Sequence, residues 1–132
     1  MRADPLTGSC SCGRVTYAIE AEPRFSFHCQ CQDCQRWSGA GHASLIMFSA
    51  DAITLQGEIR FFEQENAEGI MVRRGFCPSC GGPVVNENPK YPDVRFIHAG
   101  SLADPTLFTP TKVVWTRSAQ AWDRMDPELD IG

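Results

Sequence analysis

The chain has 132 residues, 42% of them hydrophobic and 21% charged, a balance that fits one globular domain, residues 1–132, with one modest core. Its formal charge is −4 and Arg73–Arg74 is the only adjacent basic pair, so the sequence lacks the basic patch that a nucleic-acid surface needs. No apolar run approaches the roughly 18 residues of a membrane span, and the opening residues carry no apolar stretch of a secretory signal, which predicts a cytoplasmic protein with no nucleic-acid or membrane partner.

The predicted elements, in chain order, are short strands parted by turn residues. Residues 14–20 alternate, with Val15, Tyr17 and Ile19 on one face, and Phe25 and Phe27 continue the pattern beyond Pro23. A helical turn or two is expected at residues 32–37. Residues 42–49 and 53–55 are apolar and strand-like, and Gly57 marks a turn into residues 59–63. Residues 70–74 lead into a C-x-x-C, residues 84–85, 94–98 and 112–116 supply further strands, and 105–108 is a second helical candidate. Nine prolines and eleven glycines spread along the chain leave little room for long helices. The expected architecture is mainly β, with two or three small antiparallel sheets stapled by metal and little helix. The acidic residues 125–132 read as a loosely attached tail, and Trp115 and Trp122 as packing on the late strands.

Seven cysteines fall into three clusters: Cys10 with Cys12, Cys29 with Cys31 and Cys34, and Cys77 with Cys80. An odd count and close spacings fit disulfides poorly, because cysteines one residue apart rarely reach bridge geometry with each other. The same spacings let neighbouring thiolates reach one tetrahedral ion at about 2.3 Å. A structural zinc takes four ligands as two short pairs, which Cys10/Cys12 and Cys77/Cys80 supply. Gly13 and Gly81 follow the pairs and let the backbone turn tightly around the ion. The pairs lie 65 residues apart, so this zinc would staple the start of the chain to its later half.

Cys29, Cys31 and Cys34 remain, three thiolates within six residues. Three protein ligands and an open fourth position mark a catalytic or exchangeable zinc site. His42 or His98 would close it; His28 adjoins Cys29 too tightly to share its ion. Using the trio to complete the first site instead would leave thiols with no function. Zinc is favoured over iron by ligand softness and tetrahedral spacing. Three thiolates leave a dipositive ion at a net charge of −1, a weak Lewis acid that suits a soft fourth ligand better than water. A thiol bound there is deprotonated, and its natural partner is an electrophilic carbon such as an aldehyde carbonyl.

The stretch GSCSCGRVTY at residues 8–17 resembles the opening G-x-C-x-C-G-x-V-x-Y of the glutathione-dependent formaldehyde-activating enzymes and the related centromere protein V–like domains. The likeness continues through HCQCQDCQRWSG (28–39), RRGFCPSCGGPV (73–84), GSLADP (100–105) and WTRSAQAW (115–122), in the family's order over nearly the whole chain. The resemblance implies an Mss4-like fold, a structural zinc on Cys10, Cys12, Cys77 and Cys80, and a catalytic zinc on Cys29, Cys31 and Cys34. It also implies a carbon–sulfur lyase that condenses glutathione with formaldehyde. Two positions depart from the family pattern: Gln30 stands where the middle cluster usually has histidine, and Val113 where a late histidine often follows proline.

A carboxylate-bearing thiol needs a cation near the trio, for which Arg36, Arg73 and Arg74 are candidates, and Trp37 and Phe48 are candidate walls. Asp33 is a candidate acceptor for a ligand or an amide. The leading expectation is therefore a two-zinc enzyme joining a small aldehyde to a thiol such as glutathione. The competing expectation is a non-catalytic binding module in which His42 or His98 makes the second zinc structural. A B-type methionine sulfoxide reductase shares a zinc-stapled β fold, but residues 94–100 carry no redox cysteine.

Overall fold

Short alternating runs build the chain from its first strands onward. A computed structural model describes residues 4–132; residues 1–3, part of the stretch read for a secretory signal, lie outside the described residues. The strands are β1 (Leu6–Ser9), β2 (Thr16–Ile19), β3 (Phe25–Cys29), β4 (Ala43–Ser49), β5 (Ile53–Gln56), β6 (Arg60–Glu65), β7 (Met71–Phe76), β8 (Pro83–Glu87), β9 (Val94–His98), β10 (Lys112–Val114) and β11 (Asp130–Ile131). One α-helix, α1 (Gln32–Ser38), falls between β3 and β4. Single 3-10 turns interrupt the loops, among them Pro105–Leu107, where the Asp104 side chain accepts from the Thr106 amide. No helix among the described residues is long and apolar enough to cross a membrane.

The strands form two sheets. The first, β1-β2-β5, is small and antiparallel, and Gly8 lies opposite Tyr17 in it. Any Cβ at Gly8 would overlap the Tyr17 ring and the Ser101 carbonyl, so only glycine fits this approach. The second sheet is larger than the sequence suggests, with eight strands in the order β11-β10-β3-β4-β9-β8-β7-β6. It is antiparallel except where β10 lies parallel to both β3 and β11.

Period-two alternation divides the core between the two faces of this larger sheet. In β4, Ile46 and Phe48 face the first sheet and join Ile19, Val85 and Ile97, all five at most 1% exposed. Each such side chain contributes about 1.5–3 kcal/mol by leaving water. Ala43 and Leu45 point to the other face, with Phe27, Cys29, Cys34, Val94 and Phe96. Phe48 is thus core on the face away from the cysteine trio and walls no site.

Two late features differ from expectation. The acidic end is tied down: β11 pairs with β10, the Gly132 amide donates to the Val113 carbonyl at 2.8 Å, and the Thr116 amide donates to the Gly132 carbonyl at 3.2 Å. A free edge on β10 offers these partners, and hydrogen bonding outweighs the tail's charge. Trp122 is 67% exposed and packs on no strand, whereas Trp115 packs against the second core from a left-handed backbone position at φ 60°.

Candidate metal centres

Two tight turns bring the outer cysteines together. Cys10 and Cys12 sit between β1 and β2, Cys77 and Cys80 between β7 and β8, and Gly13 (φ 81°) and Gly81 (φ 74°) supply the left-handed residue each turn needs. All four sulfurs lie within 4.8 Å of one another. Cys12 Sγ is 3.7 Å from both Cys10 Sγ and Cys77 Sγ. A tetrahedral ion with zinc–sulfur bonds of about 2.3 Å requires sulfurs about 3.8 Å apart, so the donor set fits zinc. Amides of Val15, Ser79 and Gly82 donate to Cys10, Cys77 and Cys80 at 3.3–3.4 Å. Burial opposes ionisation of Cys10, but the Val15 amide and the neighbouring thiols overcome it and lower its pKa to about 6.

The trio is local. Cys29 ends β3, Cys31 caps α1, and Cys34 lies buried in the helix's first turn. Their sulfurs lie within 4.8 Å of one another, and among the described residues no histidine or carboxylate joins them at that distance. Hydrogen bonds from the Cys29 and Cys34 thiols pull the Cys31 pKa down to about 2 against its burial, helped by the Cys34 amide at 3.3 Å and the Arg74 charge. The same sharing pushes the Cys29 thiol far up. One thiolate clasped by two thiols is the arrangement a metal ion would replace, and the all-sulfur donor set fits zinc here too.

Neither histidine proposed as a fourth ligand joins the trio. His42 Nδ1 is 2.9 Å from Asp123 Oδ1. His98 is buried with its Nε2 at 3.3 Å from Asn86 Oδ1, and burial together with Arg74 lowers its pKa to about 4.

A cavity of about 450 Å³ opens beside the trio. All three cysteines line it, together with Phe27, Leu45, Phe96, Asp33 and Arg74. Arg36 and Trp37 do not line it. Arg36 is two positions past Cys34 and so lies on the opposite side of α1, exposed to solvent. Trp37 turns instead toward β6 and stacks on Phe62 with ring centroids 6.3 Å apart. Arg73 also points away, bonding Glu87 Oε1 at 2.8 Å and covering the Phe61 ring.

Arg74 is the cation the cavity holds. It is 4% exposed, its Nε donates to Gln64 Oε1 at 3.0 Å, and its buried Nη1 has no partner. Gln64 in turn donates to Asp33 Oδ1 at 3.2 Å, so a relay of side chains fixes the guanidinium against α1. The signal was present in β7, where strict alternation puts Val72 and Arg74 on one face and Arg73 on the other.

Gln30 faces away from the trio. It is 2% exposed and donates to Asp123 Oδ2 at 3.0 Å, the carboxylate that also meets His42. Burial opposes the Asp123 charge, but Gln30 and His42 hold its pKa below the usual carboxylate range. Gln35 joins the same corner by donating to the Gln30 and Ser118 carbonyls at 2.8 and 2.9 Å. Sequence reasoning passed over Asp123, 93 residues from Gln30, because no local pattern links them. Val113 is buried in β10 opposite His28 and brings no polar group to the site.

This geometry has relatives. Residues 5–118 match the family model described as glutathione-dependent formaldehyde-activating enzyme. A Halomonas elongata protein whose name carries the same description is 28% identical over 113 residues, spanning 82% of this chain and 72% of the relative. A Rhodobacter sphaeroides crystal structure superposes with a TM-score of 0.60 at 19% identity, covering 74% of this chain and 87% of that one, a likeness of fold. With the match spanning both cysteine clusters and the cavity between β3 and β7, the chain belongs to the glutathione-dependent formaldehyde-activating enzyme family.

Proposed function

We propose that the protein is a carbon–sulfur lyase-type enzyme that joins a small thiol, glutathione in the first instance, to an aldehyde, or splits the adduct. The observation that carries this reading is the trio of sulfurs, without a fourth protein donor among the described residues, lining a cavity that holds a buried, half-satisfied arginine. In this reading Cys10, Cys12, Cys77 and Cys80 hold one zinc as scaffold, and Cys29, Cys31 and Cys34 hold a second. A zinc ion on the trio would bind the substrate thiol and keep it deprotonated near neutral pH.

The chain's own groups then do the rest. The Arg74 guanidinium balances the negative charge gathered around the trio, and its free Nη1 donates to the aldehyde oxygen as that oxygen gains charge. Gln64 and Asp33 fix the guanidinium, so no reorganisation is needed at the moment of attack. Phe27 and Phe96 keep water from the carbonyl carbon. The carbon–sulfur bond forms, the carbonyl becomes a hydroxyl, and the proton lost by the thiol ends on that oxygen by way of solvent. Gln30 works as a positioning residue, tying the β3–α1 corner to Asp123 rather than touching substrate.

The test is metal content per chain by mass spectrometry, with zinc X-ray absorption recorded before and after adding glutathione. Two zincs, one gaining a sulfur neighbour with thiol, support the reading. Two zincs blind to thiol would overturn it in favour of a binding module with two structural ions.

A further inference from the structure

Resting on the reading above, the cavity has to take part of the thiol as well as the aldehyde, and its apolar stretch offers contacts that a one-carbon aldehyde would leave unused. Formaldehyde has two heavy atoms, and the space beside the trio is about 450 Å³. That space is paved with rings. Phe25 stacks on Phe27 at 4.8 Å between centroids, Phe27 meets Phe96 edge-on at 6.0 Å, and Phe96 meets Tyr91 at 6.4 Å. The row starts two residues from Cys29, on the same face of β3, and runs outward across the sheet. Leu45 and Met47 fill the gaps along it. Arg74 is the single cation among the lining residues, and it sits at the sulfur end rather than along the row. The Phe25–Phe27–Phe96 stretch itself offers dispersion contacts and desolvation, while the other charged and polar lining groups, among them Asp33, Asn66, Glu68 and Asn88, come from other segments, and Lys90 lies 5.7 Å over the Tyr91 ring.

We infer that the aldehyde partner carries an apolar alkyl or arylalkyl body that lies along the Phe25–Phe27–Phe96 row, with its carbonyl oxygen toward Arg74 and its carbon toward the trio. Covalent balance is that of simple addition. A thiol R–SH and an aldehyde R′–CHO give R–S–CH(OH)–R′, with one carbon–sulfur bond formed, the carbonyl reduced in bond order, and the thiol proton placed on oxygen; no oxidant or reductant enters. Specificity for R′ then lies in the paved floor and specificity for addition in the sulfur end.

The adducts have stable mimics in which the hydroxyl is missing: S-methylglutathione for the formaldehyde product and S-hexylglutathione for the hexanal product. Isothermal titration of the metal-loaded protein with each reads the floor directly, without turnover. Each further methylene taken out of water multiplies affinity about fourfold, so even half-buried, the five extra methylenes raise it about 30-fold. The expected result is S-hexylglutathione binding at least 30-fold more tightly, with Met47→Gln cutting that preference several-fold. Thermal melts of Met47→Gln confirm that it folds, and the wild-type comparison stands without it. Equal affinities for the two conjugates would overturn this inference and leave the thiol-binding reading intact. Failure of both conjugates to bind would also overturn this inference, and because a thioether offers the metal no thiolate, the thiol-binding reading stands or falls on the absorption test above.

Discussion

Removing buried sulfur from each cluster in turn separates scaffold from site. Cys10→Ala with Cys77→Ala and Cys29→Ala with Cys34→Ala are matched perturbations, since all four residues are 1–6% exposed and each pair breaks one cluster. What differs is the length of chain each cluster closes. The first joins positions 65 residues apart, the second only a six-residue stretch. The chain-entropy relation for a cross-link gives about 4 kcal/mol for the long loop and about 2 kcal/mol for the short one. A chain of 132 residues unfolding as one unit does so with an entropy of about 0.28 kcal/mol/K, so these figures become drops in Tm of about 15 °C and 8 °C. Differential scanning calorimetry on protein of measured zinc content reads both. Equal drops, or a larger one for Cys29→Ala with Cys34→Ala, would refute the assignment of the outer four cysteines to stapling.

Three further outcomes follow from named contacts. Arg74→Met should lower kcat/KM for adduct formation about 100-fold, as loss of one oxyanion donor does, while Arg36→Ala stays within about twofold; steady-state kinetics would expose a wrong choice of arginine. His98 is held neutral down to a pKa of about 4, whereas an unfolded histidine protonates near 6.5. The unfolded state therefore takes up the proton first. The stability this gives is complete above about pH 6.5 and fades by about 3 kcal/mol as pH falls to 4. Denaturant titrations of His98→Gln should show a profile flatter than wild type across that window, and parallel profiles would contradict it. Asp123→Ala leaves the buried Gln30 amide only its long bond to the residue 123 carbonyl at 3.4 Å, which costs about 1–3 kcal/mol, or about 4–10 °C in Tm. Hydrogen exchange should then rise through residues 115–132, and unchanged protection there would rule out a clamp.

The cysteine clusters were legible because their information is local. C-x-C, C-x-x-C and a following glycine specify a turn that points sulfurs inward whatever the rest of the chain does. The alternating strand β2 and the apolar runs of β4 and β9 were legible for the same reason. The parallel seat of β10 beside β3 was not, because three residues carry no pattern that chooses a direction or a neighbour. β11 is two exposed residues whose strand character comes wholly from the edge it meets. Arg73 and Arg74 look alike in composition; only the face each occupies decides that one pairs with Glu87 while the other enters the cavity. Asp123 was hidden by distance in sequence, and its meeting with Gln30 and His42 depends on β4 and the C-terminal segment converging.

The placement of the clusters along the chain also sets an order of assembly during synthesis. Cys29, Cys31 and Cys34 emerge together on a short turn that can clasp an ion by itself, whereas Cys10 and Cys12 wait for Cys77 and Cys80. At about 5–20 residues per second, the delay from Cys34 to Cys80 is roughly 2–9 s. For that interval the two earliest thiols have no ion partner from the later half, and an emerging chain short of zinc would carry five unprotected cysteines at once. If both clusters hold zinc as proposed, metal supply during synthesis would bear on how much of the chain reaches its fold.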